Sequence, residues 1–162
     1  MKIVTILGAR PQFIKASLIS KYISENTLID EVVIHTGQHF NKNMSDVFFE
    51  QLNIPSPNYN LNINRMSHAE MTGSMLIELE KILQKENPQG VLVYGDTNST
   101  LSGSLAAAKL NIPIFHIEAG LRSYNRSMPE EINRIITDHL SSLLFCPTIN
   151  AVNLLEKEGI SR

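Results

Sequence analysis

The sequence predicts an α/β domain built as a Rossmann-like, doubly wound and mainly parallel sheet. Short apolar runs at residues 3–7, 31–36, 90–94, 114–117 and 143–146 alternate with segments that carry apolar residues at helical spacing. Those segments reach the ten or more residues that a right-handed crossover between parallel strands requires. Polar clusters follow four of the runs, at the strand ends where open α/β sheets place ligands.

The elements follow in order. Residues 3–7 form a first buried strand. Gly8-Ala9-Arg10 turns the chain, and Pro11 takes a first helical position, where its missing N–H costs nothing. Ile14, Leu18 and Tyr22, with Ile19 and Ile23, set the apolar face of a helix to about Ser24. A second strand over 31–36 leads into Thr36-Gly37-Gln38-His39. A short helix is expected over 44–52, then an irregular crossing over 53–66 that contains Pro55 and Pro57. Ser67 and Glu70 have capping-box spacing. The helix behind them carries Met71, Met75, Leu79, Ile82 and Leu83, and Asn87-Pro88 stops it. The third strand, 90–94, runs into Gly95-Asp96-Thr97. A helix rich in small residues (Ala106 to Ala108) follows, then a fourth strand at 114–117. A helix to about Ser142, a fifth strand at 143–146 and a last helix, capped by Thr148 and ending near Gly159, close the pattern.

Composition bounds the function. At 162 residues, 43% hydrophobic and 19% charged, the chain has the profile of one domain with a real core. A net charge of −2 supplies no global attraction to nucleic acid or to a membrane surface. No apolar run approaches the ~20 residues of a membrane span, and Met1-Lys2-Ile3 leads directly into a strand and not into a signal segment. One cysteine, Cys146, cannot close an internal disulfide, which suits a reducing compartment. A soluble cytoplasmic protein without nucleic-acid or membrane partners is expected.

The chemistry gathers at the strand ends. Gly8-Ala9-Arg10-Pro11 has too few glycines for a dinucleotide fingerprint or a P-loop. Arg10 and Lys15 nevertheless flank a helix N-terminus, whose free N–H groups and dipole favour an anion. Asp96, between a strand and a helix, is equally suited to capping that helix. Glu118 ends an apolar strand, where a carboxylate is costly unless it is paired or catalytic; Arg122 is one candidate partner. Ser127-Met128-Pro129-Glu130 has capping-box form with proline at N1, and Arg134 stands one turn further on as a partner for Glu130. His39 and His116 lie at strand ends but lack metal-ligand spacing, so no metal site is expected. Cys146 reads as buried filler in an apolar strand. Three carboxylates with several cations on one sheet edge suit acid/base work on an anionic substrate.

The segments Gly8-Ala9-Arg10-Pro11…Lys15, Tyr94-Gly95-Asp96-Thr97, His116-Ile117-Glu118-Ala119-Gly120-Leu121-Arg122 and Pro129-Glu130-Glu131-Ile132-Asn133-Arg134 resemble the non-hydrolysing UDP-N-acetylglucosamine 2-epimerases. The resemblance runs from Lys2 to Arg162 and covers the N-terminal half of such an enzyme. It implies that residues 1–162 are one Rossmann-like half of a glycosyltransferase-B type two-domain architecture. The second domain, with the family's catalytic histidine and most uridine contacts, would lie outside this chain.

The implied reaction is inversion at C2 of a UDP-2-acetamido sugar for cell-surface polysaccharide synthesis, by UDP elimination to a 2-acetamidoglucal and re-addition. No redox cofactor is needed, and the full-length enzyme would be a homodimer. Asp96, Glu118 and Glu130 match the family's acidic active-site positions. Arg10 and Lys15 match its basic ones, and Arg122, Arg134, Gln38 and His39 join them as substrate-binding candidates. In some members Gln38 and its neighbours contact a second, activating UDP-sugar. Gln12-Phe13 departs from the usual Glu-Ala or Glu-Ile. With Thr36-Gly37-Gln38-His39-Phe40 and Phe145-Cys146-Pro147-Thr148, it is more similar to the branch acting on UDP-2,3-diacetamido-2,3-dideoxy-glucuronic acid. A non-catalytic nucleotide-binding module and a glycosyltransferase-B domain are the alternatives, and the isolated half is expected to be inactive.

Overall fold

Every pairing in the sheet is parallel, and the strand order turns back on itself beside the first strand. The computed structural model describes residues 1–26, 28–38 and 56–160. In chain order the elements are β1 (Lys2–Leu7), α1 (Arg10–Asn26), β2 (Asp30–His35), β3 (Tyr59–Asn60), α2 (His68–Glu86), β4 (Gly90–Tyr94), α3 (Asn98–Lys109), β5 (Ile114–Ile117), α4 (Pro129–Leu140), β6 (Leu143–Phe145) and α5 (Ile149–Lys157). The strands lie in the order β3-β2-β1-β4-β5-β6. The chain first winds outward from β1 to β3, then crosses back to β4 and winds the other way. β1 and β4 therefore flank the switch point where such sheets open a ligand crevice.

Alternate strand residues feed two cores, as the period of two requires. On one face Val4, Ile6, Val32, Ile34, Val91, Val93 and Ile114 meet Met71, Met75, Leu79 and Leu83 of α2 and Ala106 and Ala107 of α3. On the other, Leu7, Val33, Leu92 and Tyr94 meet Phe13 and Ala16 of α1. Helix ends follow their local signals. Ser67 accepts from the Glu70 N–H, Thr148 accepts from the Ala151 N–H, and Asn87 closes α2 in the left-handed region at φ 46°.

Three expectations need correction. The face of α1 is only partly the one predicted: Ile23 is buried and Ile19 packs against the second core, but Ile14, Leu18 and Tyr22 are exposed, while Gln12, Phe13, Ala16, Ser17 and Ser20 are buried. The sheet under α1 offers polar partners, and these override the apolar stripe. Ser20 and Thr5 both donate to one carboxylate oxygen of Glu31. The crossing over 53–66 contributes a sixth strand, β3, whose approach is set by Asn58: its side chain accepts from the Val33 N–H and its own N–H donates to the Val33 carbonyl, both at 2.8 Å. The fifth predicted strand ends at Phe145, which leaves Cys146 half-buried outside it. The helix expected over 44–52 lies outside the described residues.

Gln12 closes the switch point. Its side-chain oxygen accepts from the Gly8 and Ala9 N–H groups at 2.7 and 3.0 Å, and its amide nitrogen points at the Tyr94 carbonyl, 2.7 Å away, and the Thr97 and Thr100 hydroxyls, 3.0 Å each. Gly8 has no room for a side chain, since a Cβ there would lie 1.9 Å from Ser99 Oγ. Replacing Gln12 with Ala orphans two buried N–H donors, each costing about 1–3 kcal/mol. Urea unfolding is therefore expected to show Gln12→Ala destabilised by at least about 2 kcal/mol.

Candidate active site

The turns after β1, β2, β4 and β5 and the start of α4 meet along the carboxyl edge of the sheet. Thr97, not Asp96, is the N-cap of α3, accepting from the Thr100 N–H. The Asp96 side chain is thus free to take Arg134 Nη2 at 2.5 Å, and Asn133 donates to the Asp96 carbonyl at 2.9 Å. Arg134 also bonds Glu131 at 3.1 Å, so its ion-pair partners are Asp96 and Glu131 and not Glu130.

Glu118 pairs with Lys15 across the β1–α1 and β5 turns; Arg122 is not its partner. The Glu118 backbone sits in the left-handed region at φ 72°, a conformation that costs a non-glycine residue about 1–3 kcal/mol and collects at functional sites. Two bonds hold it there, because the N–H groups of Glu118 and Ala119 both donate to the Phe145 carbonyl. The Glu118 carboxylate lies over Gly95, within 3.2 Å of where a Cβ would stand. Asp96, Gly95, Glu118 and Lys15 are therefore neighbours. Beside them a groove of about 340 Å³ is lined by Lys15, Ile117, Glu118, Phe145, Cys146 and Pro147. Cys146 thus faces the groove instead of filling a core.

The capping box assigned to Ser127 and Glu130 does not form. Met128 is the N-cap of α4 and makes no side-chain cap bond. Glu130, in the first turn of α4, is half-buried. The next residue, Glu131, turns inward and ties down the loop before the helix, accepting from the Ser123 N–H and hydroxyl and the Tyr124 N–H at 2.8–2.9 Å.

Arg10 is exposed at the first residue of α1. Arg122, whose side chain is 1% exposed, bridges Asp138 and Glu158 and does not open onto the groove. Burial alone would weaken its charge, but the bonds to Glu158 and Asp138 outweigh it and raise the pKa. Gln38 accepts from the Ser99 N–H and hydroxyl at the α3 N-terminus. His39 lies outside the described residues. His116, at 0% exposure, is a core residue between Asp138 and the Gly95 carbonyl. No cluster of three or more His, Cys, Asp or Glu among the described residues could hold a metal ion, and no helix among them is long and apolar enough to cross a membrane.

Gln12 was read from the sequence only as a departure from the family's pattern, and Glu131, Asn133 and Asp138 were given no role of their own. A polar residue in register with Phe13, Ala16 and Ser20 was the available signal for Gln12. For the other three, only the fold brings their partners near.

The family model for UDP-N-acetylglucosamine 2-epimerase matches residues 21–162. A UDP-2,3-diacetamido-2,3-dideoxy-D-glucuronate 2-epimerase of Pseudomonas aeruginosa is 62% identical over 162 residues, all of this chain and 46% of that protein. A UDP-N-acetylglucosamine 2-epimerase of Methanocaldococcus jannaschii is 57% identical over 99% of this chain and 43% of its own length. The crystal structure of the Methanocaldococcus jannaschii UDP-GlcNAc 2-epimerase with UDP-GlcNAc and UDP superposes with a TM-score of 0.96 at 56% identity, covering 99% of this chain and 44% of that one. The Neisseria meningitidis enzyme bound to UDP-GlcNAc gives 0.93 at 38%, covering 99% and 44%. The chain thus spans somewhat less than half the length of the relatives it matches.

Glu131 gives a pH test. Burial raises its pKa, but the bonds from Ser123 and Tyr124 and the Arg134 charge more than offset this and lower it. A lowered folded pKa stabilises the fold above the unfolded value, about 4.3, and the gain is lost as pH falls through the folded value. Glu131→Gln is expected to cost about 2 kcal/mol near neutrality, with the gap to wild type narrowing below about pH 4 in thermal melts.

Proposed function

The chain belongs to the UDP-N-acetylglucosamine 2-epimerase family, and from that membership we propose that it forms one half of an enzyme inverting C2 of a UDP-2-acetamido sugar. The observation that carries the reading is the row of paired charges, Lys15 with Glu118 and Arg134 with Asp96, beside the switch point of the sheet. In this reading a carboxylate takes the C2 proton. The freed electron pair becomes the C1–C2 double bond as the C1–oxygen bond to the diphosphate breaks, leaving UDP and a 2-acetamidoglucal. UDP oxygen then re-adds to C1, and a proton arrives on the opposite face of C2. Electrons end where they began, so the chemistry calls on no redox cofactor.

Asp96, Glu118 and Glu130 are the acid and base candidates for the two faces. Arg10 and Lys15, at the N-terminus of α1, meet the diphosphate and stabilise its departure. A diphosphate that draws Lys15 away from Glu118 also leaves that carboxylate open to accept a proton. Arg134 holds Asp96 in place. Arg122 serves the loop after β5 in place of the substrate contact expected of it, and Gln38 serves the N-terminus of α3. The other wall of the cleft belongs to the part of the relatives that this chain does not span, a second Rossmann-like half completing the glycosyltransferase-B arrangement. We assign the complete enzyme to the cytoplasm as a homodimer, for which exposed apolar side chains such as Leu18 and Tyr22 offer surface. Both substrates named for the relatives carry the 2-acetamido group and the UDP leaving group that C2 inversion requires, and parallel assays with the two sugars identify which one is used.

In the complete enzyme, followed by proton NMR in heavy water, Asp96→Asn and Glu118→Gln are each expected to slow epimerisation and deuterium uptake at C2 by roughly 10²–10⁴. Rates within about tenfold of wild type for both would remove the acid–base assignment. Residues 1–162 alone are expected to leave UDP-N-acetylglucosamine unchanged; measurable conversion would show that half a cleft suffices.

A further inference from the structure

The turns that present Asp96 and Glu118 share one buried anchor. Asp138, near the end of α4, has a side chain 0% exposed. Its Oδ1 accepts from His116 Nδ1 at 2.7 Å, and its Oδ2 accepts from the Gly120 N–H at 3.1 Å and Arg122 Nη1 at 2.7 Å. His116, on β5 and equally buried, uses its other ring nitrogen to reach the Gly95 carbonyl at 2.7 Å. Both ring nitrogens thus face acceptors. Nε2 must donate to the carbonyl, and a second proton has to lie between Nδ1 and the carboxylate.

We propose that Asp138 and His116 are positioning residues for the acids of the site. Through His116, Asp138 fixes the carbonyl of Gly95, the residue before Asp96. Through the Gly120 N–H it fixes the loop that begins at Glu118. The backbone there needs such restraint at Glu118, a non-glycine residue held at φ 72° between two turn glycines, Gly95 and Gly120, that adopt their positive φ freely. Strained turns of this kind persist only where their surroundings over-determine them. Neither residue opens onto the groove, so their effect passes through the two turns. The proposal rests on reading Asp96 and Glu118 as the acid–base groups.

The test uses the complete enzyme. Asp138→Asn keeps the shape but loses acceptor capacity. It is expected to lower kcat by roughly 10–100-fold, the range found when outer groups that orient metal ligands are removed, with KM for the UDP-sugar within about twofold. Amide exchange should quicken at Gly95 and Gly120 together. His116→Gln leaves the bonds of Asp138 to Gly120 and Arg122 in place, so it should lower kcat in the same way but quicken exchange at Gly95 alone. This variant also carries the test if Asp138→Asn fails to fold. Wild-type kcat in both variants, or unchanged exchange at both glycines, overturns the proposal. Asp96→Asn and Glu118→Gln, assayed alongside, separate the two ideas. If they are inactive while Asp138→Asn and His116→Gln are not, positioning fails and the acid–base reading stands. If they remain active, the acid–base reading fails and the positioning proposal falls with it.

Discussion

A parallel sheet exposes its functional edge through loops, and those loops are only as well placed as the buried bonds that tie them to one another. In this protein Gln12 makes the first of those ties. One amide side chain satisfies two N–H groups of the β1–α1 turn and reaches the last carbonyl of β4. It thereby joins the turn that carries Arg10 to the turn that carries Asp96, across the point where the strand order reverses. Asp138 and His116 continue the same arrangement toward β5.

The polar groups of this edge divide by depth. Buried ones, such as Gln12, Glu131 and Asp138, are bonded at both carboxylate or amide atoms and fix backbone. Half-exposed ones, such as Lys15, Glu118 and Asp96, have side chains 31–37% accessible and each pairs with an opposite charge. A pair that still meets solvent gains little from its Coulomb attraction, so an incoming anion can exchange with it at small cost. The left-handed backbone of Glu118 adds a strain that a mere surface ion pair would not call for.

Much of the fold was legible in the sequence because local rules and the global fold agreed. The apolar runs became strands, Ser67 and Thr148 start helices, and Asn87 ends one, as their chemistry dictates. The failures came where long-range partners decided. Ile14, Leu18 and Tyr22 make a convincing apolar stripe, yet α1 buries Gln12 and Ser20 because turn N–H groups and Glu31 lie beneath it. Glu130 and Glu131 are adjacent, and only the loop at Ser123 and Tyr124 shows which one turns inward. The acids and cations of the site were visible as polar residues at strand ends. Their partners were not, since Lys15 and Glu118 are 103 residues apart and Asp96 and Arg134 are 38 apart. Arg122, chosen for its charge, turned out to be bound by acids that no spacing rule would have linked to it.

In the proposed reading this sheet edge presents its carboxylates to C2 of a UDP-sugar. A crystal structure of the complete protein with a UDP-2-acetamido sugar bound tests it directly. C2 is expected within about 3–3.5 Å of a carboxylate oxygen of Asp96, Glu118 or Glu130, with the diphosphate against Arg10 and Lys15 in the first two turns of α1. A sugar ring seated away from all three carboxylates, with the diphosphate clear of the α1 N-terminus, would contradict it.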